Sequence, residues 1–127
     1  MDKFNKFGGL LRELRKMSNI SLGDMADRLG IAASYLSDVE LGRRHPFRTE
    51  TIERCGEILG LSNDQVGELI AAASVQRRAV ELPLDPTNQA AVDAGAALMR
   101  EWPNYSSEAY RQIKALAEQL AAAGKKK

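Results

Sequence analysis

Apolar residues recur at helical spacing from near the start of the chain. Phe4, Phe7, Leu11 and Leu14, with Leu10 beside them, share one face of "FNKFGGLLRELRKM", and the charges occupy the other. The spacing predicts an amphipathic helix ending near Met17, with "SN" as its break. Ser21 is placed to cap a second helix, "LGDMADRL". There Met25, Ala26 and Leu29 form the apolar stripe, and Asp24 lies near the positive end of the helix dipole. Gly30 follows the last periodic residue and predicts the stop. A third helix, roughly Ala33 to Leu41, turns Leu36 and Val39 inward and stops at Gly42.

The loop "RRHPF" has no periodicity. After it, Thr49 or a neighbour is expected to cap "ETIERCGEILG", with Ile52, Cys55, Ile58 and Leu59 inward. Ser62 opens a fifth helix, whose apolar face is Val66, Leu69, Ile70 and Ala73. The prolines of "ELPLDP" break the pattern and predict a linker over 81–87, separating a domain at 1–80 from a helical pair at 88–124. Val92, Ala96, Met99 and Trp102 form a stripe on the first of that pair, which "WP" ends. Ile113, Leu116, Ala117 and Leu120 form the stripe of the second. Two helices of this length cannot bury their stripes alone, so they are expected to pack on the first domain or on a second copy of the chain. No strand pattern and no repeat is present, and the expected fold class is all-α: five short helices followed by two more.

Composition narrows the chemistry. Across 127 residues, 44% are apolar and 28% charged, the balance of a globular chain with room for one domain and an appendage. No apolar run approaches the roughly 20 residues that span a bilayer. "MDKFNKFGG" lacks the apolar core of a secretion signal, so the expected location is cytoplasmic, away from any membrane. Net charge is only +1, so any nucleic-acid binding has to come from local clusters. Arg43, Arg44, His45 and Arg48 form one such cluster, and Lys125 to Lys127 another, most simply a solvated terminus. A single cysteine, Cys55, allows no internal disulfide and is expected as a small buried residue. The single histidine, His45, sits in a charged loop, a poor setting for a general base. With no nucleophile–base set or paired carboxylates on one face, no catalytic residue, cofactor or metal is expected.

The residues from Leu22 to Leu41 are more specific. Ala26 is the small residue where two helices cross, and Gly30 makes the turn. Met25, Leu29, Ile31, Leu36 and Val39 fill the positions that lock the second helix across the first. With Ser37, Glu40 and Gly42 added, the chain resembles, over about residues 7 to 75, the helix-turn-helix family of phage repressors, the lambda repressor, Cro and Xre-type group. The resemblance implies a five-helix, lambda-repressor-like DNA-binding domain with its third helix in the major groove. Carried over by position, it assigns DNA contacts to Ala33, Ser34 and Tyr35 at the start of that helix, and to Ser37 and Asp38 a turn later. It assigns the phosphate backbone to Arg43, Arg44 and Arg48 in the loop that follows. It also suggests a partly buried ion pair between Arg15 and Glu40.

Two departures stand out. Leu22 occupies the place where many family members carry a phosphate-tying glutamine, and the recognition helix has no Arg, Gln or Asn for bidentate base contacts. For several positions two readings stay open. Ser34 caps the helix or touches DNA, Tyr35 packs or touches DNA, Asp38 is solvated or accepts from a cytosine amino group, and the arginine loop is solvated or grips phosphates. The function implied is a sequence-specific transcriptional regulator, most simply a homodimeric repressor on an inverted-repeat, palindromic double-stranded operator. Val92, Met99, Trp102, Ile113, Leu116 and Leu120 are its candidate dimer contacts. The alternative is an antitoxin that grips a protein toxin through its C-terminal helices and regulates its own operon.

Overall fold

Each of the first five helices stops where a residue enters the left-handed backbone region. In a computed structural model that describes residues 6–124, these helices are α1 (Lys6–Met17), α2 (Leu22–Leu29), α3 (Ala33–Glu40), α4 (Thr49–Leu59) and α5 (Asn63–Arg77). Phe4 and Lys125 to Lys127 lie outside the described residues. Asn19, Gly30, Gly42, Gly60 and Arg78 follow the five helices with φ between 58° and 82°. After each, the next N–H donates to a carbonyl five positions back: Ile20 to Arg15, Ile31 to Ala26, Arg43 to Asp38, Leu61 to Gly56 and Ala79 to Ser74, at 2.8 to 3.3 Å. These closures satisfy helix-end carbonyls and reverse the chain at once, which is how short helices come to pack on one another. Gly30 and Gly60 take the conformation without steric cost, whereas Arg78 carries a Cβ into it.

The starts are less uniform. Ser21 Oγ accepts from the Asp24 N–H at 3.1 Å, as the sequence suggests. Ser62 and Gln65 form a reciprocal capping box: Ser62 Oγ accepts from the Gln65 N–H, and Gln65 Oε1 accepts from the Ser62 N–H. Two expected caps are corrected. The residue before α3 is Ala32, which leaves Ser34 inside the first turn, and the residue before α4 is Arg48, with Thr49 already helical; neither helix has a side-chain cap bond.

The apolar stripes meet in one core, made of Phe7, Leu11 and Leu14 from α1, Met25 and Ala26 from α2, Leu36 and Val39 from α3, Ile52, Cys55 and Leu59 from α4, and Leu69, Ala72 and Ala73 from α5. Phe47, from the loop, joins them. Leu29, Ile31, Ile58, Val66 and Ile70, predicted inward, are partly covered around its rim. α4 and α5 approach closely at Gly56, where an added Cβ would stand 2.6 Å from Val66 Cγ2. Cys55 is fully buried, and burial pushes its thiol up to about 12. Ser18 Oγ lies 3.0 Å from the carbonyls of both Leu14 and Leu59, joining the ends of α1 and α4. Arg54 donates to the Arg28 carbonyl near the end of α2 at 2.7 Å.

The chain divides into two units, the first running to Glu81 and the second starting at Leu82. The second holds α6 (Gln89–Glu101), a 3₁₀ turn (Trp102–Asn104) and α7 (Ser107–Ala123). Asn88 and Ser106 cap the two helices through bonds from Ala91 N–H and Ala109 N–H, both 3.1 Å. Between them Trp102, Tyr105 and Tyr110 form a ring cluster with centroids 4.9 to 6.3 Å apart, and the Tyr110 hydroxyl donates to the Trp102 carbonyl. None of the helical residues of this unit is buried. Val92 and Ile113 are partly covered, while Met99, Trp102, Leu116 and Leu120 are exposed. Among the described residues the architecture is all-α, and no helix is long and apolar enough to cross a membrane.

Candidate nucleic-acid interface

α3 is held at its C-terminal end by a charge pair that has left solvent. Arg15 Nε donates to Glu40 Oε2 at 2.7 Å and Nη2 donates to Oε1 at 2.9 Å, while Nη1 donates to the Ile20 carbonyl at 3.0 Å. The hydrogen bond to Glu40 raises the Arg15 pKa above its usual value, against the opposing effect of burial. Desolvating two ions is costly, and the forked, bidentate geometry offsets that cost while admitting one orientation of α3 against α1. Beside the pair lies a groove of about 220 Å³ lined by Arg12, Leu22, Ser37 and Leu41 as well as the two ions. Leu22 forms apolar wall there, and exposed Arg12 is a cation that sequence reasoning did not single out.

With Leu36 and Val39 inward and Glu40 pinned, the N-terminal half of α3 faces out. Ala32, Ala33 and Ser34 are exposed, and Ser37 and Asp38 are half-buried. No side chain accepts a bond at the Ala32 cap, so the positive end of the helix dipole faces solvent, an arrangement suited to an anion. Tyr35 is divided between the two roles left open for it. Its ring leans on Phe47 at a centroid distance of 6.1 Å, Phe47 meets Phe7 edge-on at 6.0 Å, and yet Tyr35 remains 37% exposed.

The loop after α3 folds back on the helix. The left-handed turn at Gly42 brings the Arg43 N–H to the Asp38 carbonyl at 2.8 Å, which sets the Arg43 guanidinium 3.7 Å from the Asp38 carboxylate. Arg44 lies over the Tyr35 ring, 5.5 Å from its centroid. Pro46 and Phe47 are buried and anchor the loop, and Arg77 of α5 donates to the Pro46 carbonyl. Arg48 Nε stands 3.7 Å from Glu81 Oε2. The three arginines are exposed, and each already has a partner within the chain. Sequence reasoning missed Phe47, Arg77 and Glu81. The four-residue spacing of Arg77 and Glu81 was the available signal for their pairing, but nothing in it pointed to Arg48.

A short helix locked across its neighbour through a left-handed glycine turn, with its first half outward and a cationic loop behind it, defines a helix-turn-helix unit. The chain belongs to the helix-turn-helix domain family, whose model matches residues 6–69. It is similar to the "ImmF control region 10 kDa protein" of Bacillus phage phi105, with 38% identity over 56 residues. That stretch is 44% of this chain and 61% of the phage protein's length. No solved structure matches the chain.

Proposed function

We propose that the protein is a DNA-binding transcriptional regulator, a cytoplasmic repressor acting as a homodimer on an inverted-repeat operator. The observation that supports it best is the outward, uncapped start of α3 lying against a loop that carries Arg43, Arg44 and Arg48. Ala33, Ser34 and Tyr35 face the major groove in this reading, and Ser37 borders them. The small side chains of Ala32, Ala33 and Ser34 let the helix backbone approach the duplex closely. The arginines then grip phosphates, so affinity leans on backbone and shape more than on base edges. Asp38 orients Arg43 and reads no base while the two are paired. No catalytic group, metal or cofactor enters this function. The phage relative, named for a control region, is consistent with a regulatory role.

Selection of bound sequences from a random duplex pool tests this reading. Enrichment of a two-fold symmetric site is expected, with half-sites about one helical turn apart; a pool that remains random after repeated rounds overturns it. The dimer rests on the second unit, where Met99 is 76% exposed and Leu116 54%. Val92, Trp102, Ile113 and Leu120 complete the proposed contact. Light scattering of the full chain should give twice the monomer mass, and Leu116→Glu with Leu120→Glu should halve it. A monomeric parent chain leaves this apolar surface to a different protein, as in the antitoxin reading.

A further inference from the structure

Glu81 closes the first unit, and its carboxylate reaches three donors around the end of the cationic loop. Oε1 accepts from Arg77 Nη1 at 3.0 Å and from the Thr49 N–H at 3.3 Å, and Oε2 lies 3.7 Å from Arg48 Nε. The two arginines differ. Arg77 is mostly covered and also donates to the Pro46 carbonyl, so it holds Glu81 in place. Arg48 is 79% exposed and its contact is long, the kind of pair that exchanges readily for another anion. A phosphate approaching Arg48 therefore meets a fixed negative charge already seated against the same guanidinium.

We infer that Glu81 sets the DNA affinity of this interface by competing with the phosphate backbone for Arg48. The inference rests on the DNA-binding reading above. It makes Glu81 a moderator of sequence-independent binding, so that discrimination depends more on the α3 surface and less on charge.

The test compares the full chain with Glu81→Gln, Arg48→Gln and the double variant. The amide keeps one acceptor oxygen for Thr49 and Arg77 and replaces the charged oxygen that faces Arg48 with a neutral NH2 group. Binding to a short duplex of random sequence is measured by fluorescence anisotropy across a salt series, with thermal melting to show that every variant is folded. Glu81→Gln should tighten binding about two- to tenfold at low salt, the scale of one exposed ion pair and a like-charge repulsion. It should also steepen the salt dependence by up to about 0.9 in log–log slope. The gain should vanish in the double variant, since Arg48 is what the carboxylate competes for. If the parent chain binds and Glu81→Gln binds equally or more weakly, the competitor role fails and the DNA-binding reading stands. A gain that survives loss of Arg48 also overturns the assignment. If none of the four proteins binds the duplex even at low salt, both the reading and the inference fall.

Discussion

The two units are built from similar helices and differ in what those helices have to lean on. α6 and α7 carry side-chain caps at Asn88 and Ser106, as α2 and α5 do at Ser21 and Ser62, and all four have periodic apolar residues. In the first unit five stripes converge, and Leu11, Met25, Leu36, Cys55 and Leu69 are lost to solvent completely. In the second, two stripes and a ring cluster leave Met99, Leu116 and Leu120 exposed. A cap and a period make a helix; a core needs enough surfaces to enclose a volume. The first unit therefore supplies a packed platform for α3, and the second leaves apolar surface exposed.

The contrast is sharpest at the buried pair. Glu40→Ala leaves the Arg15 guanidinium without its forked partner in the interior and should cost about 3–5 kcal/mol of unfolding free energy in a denaturant titration. A loss below about 1 kcal/mol would mean that the first unit owes little to this lock. Gly56→Ala should cost about 1–3 kcal/mol through the clash with Val66, and adding Val66→Ala should recover part of that. No recovery would place the strain elsewhere.

Cys55 provides a pH readout confined to the first unit. Burial raises its thiol from 9.0 to about 12, so the folded chain keeps the proton where the unfolded chain releases it. Its contribution to stability is therefore complete below pH 9 and is lost as pH rises toward 12. Cys55→Ala should flatten that part of the stability profile, and identical alkaline slopes in the two proteins would count against a protonated, buried thiol. At the small end, Leu116→Ala should change the unfolding free energy of the first unit by no more than about 0.5 kcal/mol, as exposed substitutions do. The same change should weaken the proposed self-association in sedimentation equilibrium; a large stability loss with unchanged association would make α7 part of a hidden core.

Much of the DNA-facing unit was legible in the chain because its logic is local. The stripe of α1, the Ser21 cap, the Gly30 turn and the inward Leu36 and Val39 follow from period, cap and turn chemistry, each decided within a few residues. The Arg15–Glu40 pair was also anticipated, through family resemblance. The reading failed where a local preference had competitors. Ser34 and Thr49 are good capping residues, yet each lies inside its helix, and the cap positions fall to Ala32 and Arg48, which make no side-chain cap bond. For Tyr35 both open readings survive: the ring stays 37% exposed, and Phe47, which the sequence did not single out, comes back from the loop to meet it.

The sequence by itself determined the all-α class, the positions of the helices and the presence of cations after α3, since these depend on side-chain period, turn residues and composition. Only the tertiary structure decided how those cations are held. Arg43 sits against Asp38 because a left-handed turn reverses the chain, Arg44 covers Tyr35, and Arg48 faces Glu81 because α5 returns the chain to the start of α4. Charge can be counted along a chain, but its partners are chosen by distance in space, and the effective charge of the interface is a property of the fold.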